Sequence, residues 1–345
     1  MIRRLAVAVA VPVVLLLTAT GPGPTPLAGA TAGSVTTSVS GGKSGPPLSV
    51  RARISLPIAS DDAFPSVAAE GPDGVVFVSD PAHHQVWAVD GDGPAAPAVH
   101  VAGVINGLAA DASSLYVATF STVYRYSRST GTKVFQWTLP AMKPQSSSNA
   151  LLVSLTAANG TLWAFVVHGN DVNVYRINPN SQRSPQLVTR SLGAVVSPNG
   201  SLYYERTDAR LIRVVAGRVK VGPRLEDRPN GLGGGVQYID SVAGGEVWVV
   251  DPAGQGLDAT YSAFNSSTLV AGATFQGSVG DMMANTRIGP LMVSGAESQA
   301  VQRISATGRL TARLRLAGAE ALVGPAPAVV AWNQSGNALV LDRLS

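Results

Sequence analysis

Two of the four histidines stand side by side in "PAHH", Pro81 to His84, between the apolar runs "VVFVSD" and "VWAVD". A histidine near a carboxylate can act as a general acid or base, or can ligate a metal through a neutral ring nitrogen. His83 and His84 are adjacent on a loop, where neighbouring side chains diverge, so they do not share one metal. His168 lies in a corresponding stretch, "VHGNDV", beside Asp171, and offers a second His/Asp pairing. Further polar side chains recur in comparable stretches: Glu205 and Asp208 in "ERTDAR", and Asp251 in "DPAGQGLDAT". Glu226 and Arg228 fall within the glycine-rich "GPRLEDRPNGLGGGV". That last stretch is not a phosphate loop, because it lacks GxxxxGK[ST] and a helix to follow it. GxSxG, HExxH and EF-hand patterns are absent as well, so no motif assigns a catalytic residue.

Composition narrows the classes further. There is no cysteine, which excludes disulfides and thiolate metal sites. Only 13% of residues are charged and 46% are hydrophobic, with 37 Gly and 23 Pro. Such a chain suits many short strands joined by tight turns. The formal charge of +4 is a small excess without a basic run, which argues against a nucleic-acid partner. The N-terminus has a basic start (Arg3, Arg4), an apolar run from Leu5 to Leu17, and Ala30-Thr31-Ala32 before Gly33. This reads as an export signal over 1–32, and the expected location is extracytoplasmic. The apolar run is shorter than the ~20 residues that span a bilayer, so a membrane enters only if this segment is retained as an anchor. A Gly/Ser/Thr/Pro-rich linker follows over 33–49.

The elements that must position these side chains show themselves as a repeat. "VVFVSD" has counterparts in "LYVATF", "LWAFVV", "LYYERT", "VWVVDP", "LMVSGA" and "VVAWNQ". Aligning Phe77, Tyr116, Trp163, Tyr203, Trp248, Met292 and Val330 gives spacings of 39, 47, 40, 45, 44 and 38 residues. A second run follows each first one, as in "VYRYS", "VYRIN", "LIRVV" and "VQRIS", and a turn rich in Gly, Pro, Asn or Asp precedes each first run. Seven copies of this length, each with room for four strands, define an all-β, seven-bladed β-propeller over 50–345. Six blades with an irregular tail are the main alternative. The seventh copy ends after its third strand, whereas "VRARISLP" (50–57) is an alternating strand with no repeat of its own. Arg51–Leu56 is therefore expected to pair with "ALVLDRLS" and close the ring, removing an exposed sheet edge.

The pattern of apolar, aromatic, x-x-[DS], a loop, V-x-R-[IVY]-[DSN] and then "TG" (Thr130-Gly131, Thr307-Gly308) resembles the NHL, YVTN and virginiamycin B lyase-like group of propellers. "INGLAAD" (105–111) is similar to the inner-strand opening of that group. The resemblance covers 50–345 and implies the fold; it carries over no catalytic residue, since the "WFTE"-like repeat of virginiamycin B lyases is absent. Gluconolactonase-like propellers hold a divalent cation in a ring of Asp, Asn and Glu at the inner-strand starts. Here Asn106, Asn149, Asp240 and Asp281 are the candidates for those positions, and a cation such as calcium is what they would take.

In such a ring, His83, His84, His168, Asp171, Glu205, Asp208, Asp251, Glu226 and Arg228 fall on the face that gathers the second-to-third-strand loops and the blade-to-blade crossings. Two functions are expected of that face. One is a monomeric, exported binding module for a protein, glycan or small ligand. The other is a cation-dependent hydrolase or lyase at the channel mouth. Arg125, Arg176, Arg213 and Arg303 share a third-strand position and are expected to lay their stems on the neighbouring blade with their heads in water.

Overall fold

The computed structural model describes residues 46–59, 67–139, 153–168, 171–191, 193–225, 238–243, 245–252, 258–278, 282–294, 300–305, 309–316, 318–332 and 338–345. Among them are 28 strands and no helix, arranged as seven antiparallel four-stranded sheets. The chain is a seven-bladed β-propeller. The expected leader and most of the linker lie outside the described residues, and no helix among those described is long and apolar enough to cross a membrane.

Six blades are built from consecutive strands running from the channel outwards. From inner to outer strand they extend from Ala68–Glu70 to Ala96–His100, and from Gly107–Ala110 to Lys133–Thr138. Blade 3 runs from Val153–Ala158 to Gln186–Ser191 and blade 4 from Ala194–Val196 to Arg218–Arg224. Blade 5 runs from Tyr238–Ala243 to Ala271–Ser278 and blade 6 from Met282–Thr286 to Leu310–Arg315. Blade 7 is composite. Its inner three strands are Ala319–Val323, Ala328–Trp332 and Ala338–Leu344, and its outer strand is Val50–Ala59 from the other end of the chain.

The closing strand alternates as its sequence dictates. Ile54, Leu56 and Ile58 are 7%, 3% and 2% exposed, and they join one cluster with residues of blades 6, 7 and 1. Arg53 sits opposite Asp342 and donates two parallel hydrogen bonds of 2.7 Å to its buried carboxylate. That bonding raises the Arg53 pKa above its ordinary value. Ser49 and Ser345 exchange backbone hydrogen bonds at the end of the pairing.

The core of the described residues is divided among six clusters, five lodged between two adjacent blades and one running through blades 6, 7 and 1. The repeated positions Phe77, Tyr116, Trp163, Tyr203, Trp248, Met292 and Val330 are all buried, as wedges between blades must be. Tyr116 also donates a 2.6 Å hydrogen bond to Asp111. Burial and this contact raise the tyrosine pKa. For Asp111 burial pushes upwards, but hydrogen bonds from Tyr116, Ser113 and Ser114 outweigh it and hold the carboxyl below its ordinary value.

The third-strand arginines differ from expectation, because their heads meet carbonyls rather than water. Arg125 donates to Pro179 O at 2.6 Å, Arg213 to Ser267 O at 3.2 Å and Arg303 to Pro46 O at 2.6 Å. Arg343 of blade 7 repeats the contact, donating to Gly91 O at 2.7 Å. In each case the acceptor lies where the third and outer strands of the following blade connect, or, in blade 7, just before the closing strand. The turn carbonyls are left over by the ladder, and a guanidinium in reach satisfies them. Arg176 makes no such contact and is exposed.

Candidate binding face

In blade 1 the loop Pro81–His84 joins the second strand, Val76–Asp80, to the third, Gln85–Val89. Asp80 is 1% exposed, and its carboxylate accepts the backbone N–H of His83 at 3.2 Å and the His83 ring at 3.0 Å. A carboxylate only accepts, so Nδ1 of His83 carries a proton; the side chain is 67% exposed. His84 adopts φ 55°, a left-handed conformation that a non-glycine residue holds at a cost of about 1–2 kcal/mol. Its Nδ1 donates to Gly103 O at 2.9 Å, which ties the loop to the crossing towards blade 2.

The face brings in a histidine that sequence reasoning missed. His100, at the end of the outer strand, meets His84 edge to face with ring centroids 6.4 Å apart. Three of the four histidines therefore share one corner of blade 1. The pairing of Gln85 with His100 across the third and outer strands places it there, and no local motif announces such a pairing.

Other expected positions are dispersed. His168 and Asp171 pair directly across the hairpin of blade 3, two blades from His83. Glu205 is buried at 2% exposure rather than displayed, and Asp251 is half-buried at the end of a second strand, opposite Thr260. Asp208 is exposed but committed to Arg206, which contacts both its oxygens, with Arg210 3.7 Å away. The Arg206 hydrogen bonds hold its carboxyl down to about 2. Glu226 and Arg228 lie outside the described residues.

At the channel mouth, Asn106 is half-buried and its backbone N–H donates to Ala118 O at 2.8 Å. Its side-chain Nδ2 is buried without a hydrogen-bond partner among the described residues, the kind of group that a ligand or water satisfies. Asp240 occupies a β-bulge in the inner strand of blade 5, the extra residue between the pairs Ile239–Val249 and Ser241–Trp248. Blade 7 has the same insertion, and the residue in it is Glu320, between Ala319–Ala331 and Ala321–Val330. The sequence reading did not single out Glu320. A bulge re-aims one side chain from an otherwise regular strand, and no periodic pattern reveals it in advance. Glu320 accepts the Trp332 indole N–H at 2.8 Å, and burial raises its carboxyl pKa against that hydrogen bond. Asn149 and Asp281 lie outside the described residues. Among those described, no group of three or more His, Asp or Glu is arranged to hold a metal.

No family model matches this chain, and no curated protein matches it in sequence. Solved structures match its fold. A streptogramin B lyase is 13% identical over 86% of this chain and 97% of its own, with a TM-score of 0.56. A catalytically inactive virginiamycin B lyase from Staphylococcus aureus, solved with quinupristin, is 11% identical over 86% and 99%, at 0.57. PorZ, a bacterial surface component of the type-IX secretion system of Porphyromonas gingivalis, is 12% identical at 0.55. That likeness covers 82% of this chain and 36% of PorZ. Likeness at such identity shows the propeller fold alone and leaves chemistry to the residues.

Proposed function

We propose that this chain is an exported binding module of the NHL and YVTN kind, which engages a protein or glycan through the face bearing the second-to-third-strand loops and blade crossings, without catalysis of its own. The observation that supports this most is the contrast between the two faces. On the opposite face, third-to-outer-strand turns are engaged in arginine contacts between blades. The proposed face carries the longest connections, 139–152 and 225–237, together with the exposed His83 ring anchored on a buried carboxylate. A rigid frame holding varied loops around one mouth suits recognition. PorZ, a surface component, lends support to an extracytoplasmic setting.

The test is to replace 226–236 with a Gly/Ser segment of equal length and, separately, to make His83→Ala. Capture is then compared on a glycan array and by proximity labelling on intact cells. The reading expects captured species to be lost with an unchanged melting temperature, and capture indifferent to every loop change on this face would end it.

A second reading, a cation-dependent lyase or hydrolase at the channel mouth, is favoured by the shared bulge position of Asp240 and Glu320. The described residues do not complete a ligand set. Metal analysis of the purified protein with a chelator melt tests it, since a tightly held ion stabilises the native state. Absence of metal with an unshifted melt would remove this reading.

A further inference from the structure

At the junction of blades 3 and 4 a third-strand arginine lacks the contact that Arg125, Arg213, Arg303 and Arg343 make at theirs. In blade 3, Val172 and Val174 pack with Ala194, Val196 and Leu202 of blade 4, so strand alternation turns Arg176 towards blade 4 as well. There it finds no acceptor among the described residues. The corresponding connection of blade 4 is the two-residue turn Ala216–Gly217, with φ 48° and 79°, joining Val215 to its partner Arg218. Blades 3 and 5 have longer connections, 178–185 and 266–270, whose carbonyls receive Arg125 and Arg213.

The blade 4 side of this cleft is apolar, and the outer strand of blade 3 faces it with Gln186 and Thr189, the partners of Arg176 and Val174. Val219 pairs with Val214, which packs against the blade 3–blade 4 cluster, so Val219 faces blade 3; Val221, opposite Ile212, faces the same way. Lys220, on the other side of the strand, reaches Ser267 of blade 5. Val219 and Val221 are nevertheless 62% and 50% exposed. Arg213 and Lys220 of blade 4 reach Ser267 of blade 5, but over both blades, between residues 172 and 224, the sequence has nine Arg or Lys against two acidic residues. Those two are already used, Glu205 being buried and Asp208 held by Arg206.

We propose that the rim cleft between blades 3 and 4, lined by Arg176, Val219 and Val221, binds an extended peptide in which an acidic residue is flanked by aliphatic ones. The carboxylate would meet Arg176 in the place that a turn carbonyl takes at other junctions, and the aliphatic side chains would cover the two valines. Charge complementarity selects an acidic partner. The valines face a neighbouring blade instead of outwards from the ring, an orientation that suits an inserted segment and not a flat bilayer. Lys220 and Pro223 blunt the outer strand's own edge, so the peptide lies in the cleft instead of extending the sheet. This surface is separate from the loop face proposed above, and either can fail alone.

The experiment selects random dodecapeptides displayed on phage against the purified chain, with counter-selection on the Arg176→Glu/Val219→Asp double variant. Enriched peptides should carry the acidic–aliphatic pattern. By fluorescence anisotropy their affinity should fall at least tenfold with Arg176→Glu and with Val219→Asp separately. It should be unchanged by Val270→Asp, which alters an exposed valine of blade 5. Melting curves must show each variant folded; Val219→Thr replaces any that is not. Failure to enrich, or binding that survives both substitutions or Glu→Gln in the peptide, overturns the proposal. So does loss of binding to phosphatidylglycerol vesicles on the same substitutions without peptide capture, an outcome that would make the cleft a membrane contact.

Discussion

Removing the strand Val50–Ala59 should cost far more stability than removing the linker residues 33–45, although the first deletion is shorter. The strand buries Ile54, Leu56 and Ile58. At roughly 1.5–3 kcal/mol for each fully buried aliphatic side chain, these three contribute about 5–9 kcal/mol. Residual burial in the unfolded chain lowers that by roughly 10–40%. Deletion also strands Asp342, whose side chain is 1% exposed and which then keeps no guanidinium from the closing strand. Breaking a buried pair from one side costs about 3–5 kcal/mol; with Arg53 at 45% exposure, the lower end applies. Since whole domains are stable by only about 5–15 kcal/mol, loss of the strand should leave the ring unfolded or open. Urea titration followed by the fluorescence of the five tryptophans measures this. The linker deletion should retain the full-length midpoint. Leu56→Ala should lose about 2–5 kcal/mol. Arg53→Met should lose about 3 kcal/mol, much of it recovered when Asp342→Leu is added. Equal midpoints for the two deletions would refute the reasoning, because the latch would then contribute nothing.

The arginine contacts between blades give a graded series: Arg125→Met and Arg303→Met should each cost about 1–2 kcal/mol, while Arg176→Met stays within about 0.5 kcal/mol, read from the same urea midpoints. Tyr116→Phe removes a hydrogen bond from the half-buried Asp111 and should cost about 1–3 kcal/mol. Glu70, Glu246 and Glu320 all have carboxyl pKa values raised by burial, so the native state holds their protons to higher pH than the unfolded chain does. Stability contributed by these groups is therefore lost as pH rises from the ordinary glutamate range through their folded values. Glu320→Gln should flatten that decline in melting temperature, and an unaltered slope would show that Glu320 is not one of its sources.

The ring was legible because its determinants are periodic. Seven apolar–aromatic runs with turns between them define seven sheets, and each aligned aromatic has to be buried between blades. Closure was legible too, since Arg51 to Leu56 alternates polar and apolar residues and the last copy lacks an outer strand. The arginine heads were not legible. Whether a guanidinium meets water or a carbonyl depends on the length of the turn in the next blade, which for Arg125 and Arg213 supplies an acceptor 54 residues further on, and Arg125 and Arg176 look alike until those turns are compared. Glu320 was hidden for a related reason: one inserted residue in an inner strand leaves the repeat spacing almost intact while turning a carboxylate to a new direction.

The two surfaces proposed here follow from one property of repeat rings. Successive blades must match well enough to close, so a departure from the repeat is a place where the chain does something its counterparts do not. The two-residue turn of blade 4 is one departure, and it releases Arg176 and uncovers Val219 and Val221. The bulges at Asp240 and Glu320 are another, and each spends an extra inner-strand residue on an acidic side chain. A ring selected only for stability would have kept the longer turn, since a carbonyl contact for Arg176 contributes about 1–2 kcal/mol and cover for the valines adds more. Restoring that turn, by inserting a segment such as Asn265–Val270 in place of Ala216–Gly217, should therefore stabilise the blade 3–blade 4 junction and abolish peptide capture together. Separation of the two effects would show that the open cleft is an accident of turn length.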